Sequence, residues 1–246
     1  MSRIGAAIAA GCLTAGLVVG PALAATPPPT PMDMSAPVPW TDSGAKPFVQ
    51  RDAKNAIVAI GLVIPAATVK ATPSKRSEAV LPLSGAGLVQ SANLQWHPTG
   101  HEPAHVYDVP HFDVHFYTIT EKVRGGIVPN SPLGKVMPPK AILPPASILA
   151  PGYVPGMGMH DILASSPEFN KGKFTVSPII GYWNGELAFF EVMFTKAWIL
   201  ANEGKTGAYP QPATVHQHGW YPTKYGVHYH KATDSYRIDL TNFRQR

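Results

Sequence analysis

Cysteine is all but missing from this 246-residue chain. The single one, Cys12, lies in an apolar N-terminal stretch that reads as a removable leader, so no disulfide staples the remainder and thiolate metal sites are excluded. Charge is scarce as well. Asp, Glu, Lys and Arg make up 14% of residues for a formal net charge of +5, with bases and acids interleaved, which leaves no basic patch for nucleic acid. There is no internal repeat, heptad, glycine-rich phosphate loop or recognisable nucleophile motif, so solenoid, coiled-coil and nucleotide-binding architectures have no support.

The first 24 residues carry Arg3, an uncharged apolar run over 4–19 and then Ala22-Leu23-Ala24. This is the pattern of a secretory signal peptide cut after Ala24. A membrane anchor is the rival, but Gly, Thr and Pro21 dilute the run, and no stable membrane insertion is expected after cleavage. The product is expected to be periplasmic or secreted. Residues 25–46 are dominated by proline and lack an apolar period, so they read as an extended tail; the Met32 and Met34 pair within it has no histidine nearby to make a copper site. Residues 47–246 are long enough for one domain with a sizeable core. The 22 glycines and 27 prolines fall short of a disordered composition and imply long, proline-stiffened loops.

The expected fold is mainly β, a β-rich α+β class: an antiparallel barrel or sandwich with long Pro-rich loops and one or two short helices. Residues 56–69 are rich in Val and Ile and interrupted by Pro65, which suggests one or two strands. Further strands are expected at 79–83, 94–96 and 112–119, before a long proline-rich connection over 125–158. Asn184-Gly185 between two apolar runs is a strong hairpin signal. Thr195 is placed to cap a short helix over 196–203 that Gly204 ends. A second hairpin is expected at 225–240, turning at 232–235.

The stretch 97–117 gathers five of the ten histidines with Glu102, Asp108 and Asp113. Neutral imidazole and carboxylate are the usual nitrogen and oxygen ligands of divalent cations. On an extended 110–117 segment, Phe112, Val114 and Phe116 face one way and His111, Asp113 and His115 the other. The bland alternative is a polar face in water. Glu191 lies in a run that is apolar on both strand faces, sharing one with Leu187, Phe189 and Met193, so its carboxylate needs a Lys, Arg or metal nearby, or else must be protonated. Pro155-Gly156-Met157-Gly158-Met159-His160 can deliver one more imidazole from the long loop.

Strand geometry separates His111 and His115 by about 13 Å, too far for both to bind one ion without a bend. The candidate metal ligands are therefore His115, His160 and Glu191 with either His111 or Asp113, the other orienting an imidazole. The ion would be zinc, manganese or iron, given nitrogen and oxygen donors without thiolate. His97, His101, Glu102 and His105 lie in a proline-broken loop and are expected at the entrance. His216, His218, His228 and His230 are expected to be exposed.

Several motifs together resemble a known family: Trp96-His97-Pro98-x-Gly100-His101-Glu102-Pro103, Val106-Tyr107-Asp108-x-Pro110-His111-Phe112-Asp113-x-His115-Phe116-Tyr117, the run ending at His160, and the later Glu191. They are similar to exported bacterial proteins of unknown function, typified by a Thermus protein under extracytoplasmic sigma-factor control. The resemblance spans about 56–240 and implies a β-rich exported domain in an envelope-stress setting, without an established reaction. Pro155-Gly156-Met157-Gly158 departs from the proline expected directly before Met-Gly, and the C-terminal histidine pairs lie outside the pattern. Cupins are a weaker comparison, since they carry His-x-His where this chain has His111-x-x-x-His115.

Three functions remain open at this point. The domain holds a divalent metal for structure, storage or sensing; or it is a metal-dependent hydrolase or oxygenase with an open coordination position, acting on an unidentified small molecule; or it is a metal-free envelope protein whose polar residues stabilise loops or a homo-oligomer interface.

Overall fold

Alternating apolar residues on most of the strands drive two sheets together face to face. The computed structural model describes residues 37–246 apart from Glu203; the expected signal peptide and the Met32 and Met34 pair lie outside the described residues. In chain order the elements are β1 (Val38–Pro39), β2 (Lys46–Arg51), β3 (Ile57–Pro65), α1 (Ala66–Lys70), β4 (Ser77–Ala86), β5 (Val89–His97), β6 (His111–Tyr117) and α2 (Glu121–Gly125). They continue with β7 (Ser147–Leu149), β8 (Met159–Leu163), β9 (Val176–Trp183), β10 (Glu186–Thr195), α3 (Lys196–Ala201), β11 (Gly204–Ala208), β12 (Trp220–His230) and β13 (Ser235–Gln245).

One sheet has eight strands in the order β1-β4-β5-β6-β10-β9-β8-β7, and the other has five in the order β11-β12-β13-β3-β2. Every pairing is antiparallel except β1 with β4. The sheets remain open at their edges, so the architecture is a sandwich and not a closed barrel. Between them, Leu94, Phe112, Val114, Phe116, Val192 and Phe194 of the large sheet meet Ile60, Leu62, Ile64, Val227, Ile238 and Leu240 of the small one. Each such side chain contributes about 1.5–3 kcal/mol by leaving water.

The other face of the large sheet is buried too. Tyr117, Ile179, Phe189 and Met193 on that face form a second apolar cluster with Tyr107, Ile127, Met157 and Phe174 from the connecting segments. All seven residues of β6 are therefore buried, which rules out the alternative of a polar face in water. The long connection over 125–158 serves as part of this cover.

Both hairpins form where the turn chemistry places them. Asn184 and Gly185 have φ of 51° and 78° between β9 and β10, and β12 and β13 pair along almost their whole length. Thr195 caps α3 by accepting the Trp198 amide at 3.2 Å, although the helix ends at Ala201. Three details correct the sequence reading. The tail does not run loose to Lys46: β1 pairs with β4, and Trp40 is buried in the inter-sheet core, because an indole of that size gains more from burial than the short segment loses in freedom. After Pro65 the chain turns into α1, not a second strand, since proline at a strand end stops the ladder yet tolerates the start of a helix. A bulge between Leu187 and Phe189 rotates Leu187 into the inter-sheet core, away from the face shared by Phe189, Glu191 and Met193. Among the described residues, no helix is long and apolar enough to cross a membrane.

Candidate metal centre

Antiparallel register brings polar side chains from three adjacent strands onto the covered face of the large sheet. His97 of β5 lies opposite His111 of β6, and Asn93 of β5 lies opposite His115. On the other flank of β6, His115 lies opposite Glu191 of β10. Cross-strand partners point to the same face, so a single pleat presents His97, His111, Asp113, His115 and Glu191 together. The segment after β5 folds back and adds His101, while β8 adds His160 opposite Gly181.

These residues form two groups, in each of which one potential ligand atom per residue lies within 4.8 Å of all the others. The first is His97, His101, His111 and Asp113. The Nε2 atoms of His97 and His101 lie 2.9 and 3.3 Å from Asp113 Oδ2, and that of His111 lies 3.2 Å from Oδ1. Ligands with bonds of about 2.0–2.2 Å around one ion stand about 3.0–3.6 Å apart, so these separations match the edges of a coordination polyhedron. Nδ1 of His101 lies 2.7 Å from the Glu102 carbonyl, and Nδ1 of His111 lies 2.7 Å from the Val109 carbonyl. A carbonyl only accepts, so Nδ1 carries the proton and Nε2 is turned inward, the arrangement that orients metal-binding imidazoles.

The second group is His115, His160 and Glu191. Glu191 Oε1 is 3.3 Å from His115 Nε2, and Oε2 is 3.8 Å from His160 Nε2. Gly158, at φ 126°, lies so close to the Tyr182 carbonyl that a Cβ would approach its oxygen to 2.5 Å; this glycine lets the chain enter β8 tightly against β9. Gly181 has no side chain, and there the Phe189 ring lies where a Cβ would be. That ring packs edge-on against both imidazoles, at 4.9 Å from His115 and 5.1 Å from His160.

Six atoms of the two groups are buried without a hydrogen-bond partner among the described residues: His97 Nε2, His111 Nε2, Asp113 Oδ1, both nitrogens of His115, and Glu191 Oε2. Each such orphan costs about 1–3 kcal/mol. The close pairs include His97 with Asp113, where the atoms are near but the ring N–H geometry of a hydrogen bond is not met. Lone pairs converging on a shared point produce this pattern.

Burial lowers the pKa of His97 and His160 to about 4 and holds that of His115 well below the usual value, so these rings are neutral and available as ligands near pH 7. Burial acts against the Asp113 carboxylate, but His111, His97 and the hydrogen-bonding His101 outweigh it and keep the carboxyl well below its usual range. Burial and the nearby Asp113 charge push Glu191 well above its own. For His101, the bond to Asp113 overcomes burial and raises the pKa. A cation at the shared point would replace that proton.

The groups open onto one cavity of about 450 Å³, lined by His97, His101, Asp113, His160 and Glu191 among others. The buried chemistry is therefore reachable.

No family model, curated protein or solved structure matches the chain.

The structure places the expected residues in two centres instead of one. His115, His160 and Glu191 come together, whereas His111 and Asp113 belong to the neighbouring group. His97 and His101, expected at the entrance, are the remaining members of that group, and His97 is 4% exposed. The signal for His97 was its position directly after the apolar strand 94–96, facing a second strand across one loop; His101 was marked only by the histidine density of 97–117 and by the motif around it. His160 is delivered by strand β8 and not by a loop. His105 and Asp108 stay exposed, 3.9 Å apart. Among the described residues, His216, His218, His228 and His230 join no such group; His216 instead meets Glu186 at the surface, 3.0 Å away.

Proposed function

We propose that the chain is an exported metal-binding protein that holds a divalent ion on the covered face of its larger sheet. His97, His101, His111 and Asp113 supply the closed site, three imidazoles and one carboxylate, a set that suits zinc, with iron or manganese as the other candidates. The observation that carries this reading is the convergence of three Nε2 atoms on the two oxygens of Asp113 at 2.9–3.3 Å. Two of the rings have their other nitrogen committed to a backbone carbonyl. A metal-free envelope protein would leave the orphaned buried atoms without compensation.

Support for export comes from Arg3, the apolar run and Ala22-Leu23-Ala24. The motif resemblance over about 56–240 supports a setting in the bacterial envelope stress response. The deciding experiment is elemental analysis of protein purified without an affinity tag, beside the Asp113→Asn and His111→Ala variants. The wild type should carry about one tightly held ion that both variants lose. Full loading of both variants, or wild-type protein without metal, would reject the reading.

A further inference from the structure

Asp113 and His115 are two positions apart on the same face of β6, so the two groups stand side by side. Three donors do not complete a tetrahedral or octahedral shell. His115 is fully buried and absent from the cavity wall, whereas His160 and Glu191 line the cavity. The remaining coordination positions of an ion held by these three residues therefore face the cavity. His115 Nε2 and Glu191 Oε2, on side chains at most 2% exposed, are orphaned and directed into this group.

The cavity itself indicates what approaches. At about 450 Å³ it falls in the size range of small-molecule sites. Beyond the polar floor its wall is chiefly apolar, with Tyr107, Met157, Ile162, Phe169, Ile179 and Met193, although Arg76 and Glu102 also contribute. An apolar enclosure over a metal-facing floor suits a ligand with one polar end.

We infer that His115, His160 and Glu191 form a second divalent-metal site with open coordination positions, which binds a small, mainly apolar molecule through a single oxygen-donor group. This inference builds on the metal-binding reading of the neighbouring centre and assigns the second group the ligand-facing role. Two imidazoles and one carboxylate with open positions are the donor set of ions that activate bound water or dioxygen.

The test uses full-length protein freed of metal by a chelator and titrated with cobalt(II), whose visible absorption reports coordination number. The wild type should take up two equivalents, one with the intense bands of four-coordination and one with weaker bands. Glu191→Gln and His160→Ala should each keep only the first, and Asp113→Asn should lose it. Two variants are used because one alone could fail by misfolding, which circular dichroism would reveal. Benzoate added to the two-cobalt protein should shift the weaker bands, and acetate should bind at least about tenfold more weakly because it cannot use the apolar wall. Neither anion should affect the Glu191→Gln and His160→Ala variants, which lack the open site, whereas benzoate should still shift the bands of Asp113→Asn. A wild type that takes up one equivalent, abolished by Asp113→Asn, would overturn the second site and leave the first standing. Two equivalents retained in both the Glu191 and His160 variants would also overturn it. Indifference of the bands to benzoate, or equal binding of acetate, would overturn the ligand class. No uptake at all would overturn both readings.

Discussion

The hydroxyl of Tyr209 is inserted into the β9–β10 ladder beside Glu191. It accepts the Glu191 amide at 2.6 Å and lies within hydrogen-bonding reach of two carbonyls, that of Ile179 and that of Glu191 itself at 2.9 Å. The ring packs among Phe190 and Tyr225 on the inter-sheet side, so the two faces of β10 are coupled at one residue. From the apolar core, Tyr209 fixes the backbone from which the Glu191 carboxylate projects toward His115 and His160.

Tyr209→Phe removes that hydroxyl without opening a cavity. If the strands stay spread, the Glu191 amide is left unpaired and buried, which costs about 1–3 kcal/mol. The expected result is a lower urea midpoint with an unchanged slope, together with weaker uptake of the second cobalt equivalent. A loss below about 0.5 kcal/mol with normal cobalt binding would show that β9 and β10 close directly on each other, and that Tyr209 does not position Glu191.

Gly181→Ala tests the neighbouring relationship. A methyl group there collides with the Phe189 ring, which packs edge-on against the imidazoles of both His115 and His160. Overpacking of this kind costs about 1–3 kcal/mol. The variant should melt earlier and bind the second ion less tightly, while the four-ligand centre, whose imidazoles pack on one another, keeps its affinity. Equal weakening at both centres would mean that the whole sheet has shifted.

The residues differ in how far their roles could be read from the sequence. Asn184-Gly185 declared its hairpin because few residue pairs accept two positive φ values. Phe112, Val114 and Phe116 declared the inner face of β6 because the period of two is a local property. Glu191 stood out because an acid in a doubly apolar strand demands a partner. His101 stood out only as one histidine of a dense stretch: its place in the site depends on how residues 98–110 fold back over the sheet, and such a path is set by long-range packing. The Leu187 bulge was hidden for a related reason, since an extra residue in one strand is defined only against its partner. The division of one expected site into two follows from the same limit. Spacing along β6 excluded His111 and His115 from a shared ion, but only the register with β5 shows which group each joins.

Removing the metal should loosen the sandwich. An ion that binds only the folded chain stabilises it by about 2.7 kcal/mol at a hundred times its dissociation constant. For a domain of this size that corresponds to a melting temperature about 5–10 °C higher than that of chelated protein. Scanning calorimetry with and without added zinc measures the difference. In Asp113→Asn the zinc-dependent shift should shrink substantially, because the closed site is lost. An identical melting temperature for loaded and chelated wild type would remove the energetic case for a metal.

Asp161 lies on β8 next to His160 but points to the opposite side, opposite Ile180, and is 3% exposed. Burial raises its pKa to about 6, an effect that Ser147 only partly offsets. Because the folded value lies above the unfolded one, the contribution of Asp161 to stability is complete below about pH 4 and is lost as pH rises through about 6. With a discount for residual solvent screening, the loss is about 1–2 kcal/mol. Asp161→Asn cannot ionise and should escape it. Wild type and variant should therefore have similar stability at pH 4, and the variant should lead by about 1–2 kcal/mol at pH 7.5. Taking the difference between the two proteins cancels the titration of the histidines they share. Parallel stability curves from pH 4 to 7.5 would show that the Asp161 carboxylate is hydrated despite its position in the strand.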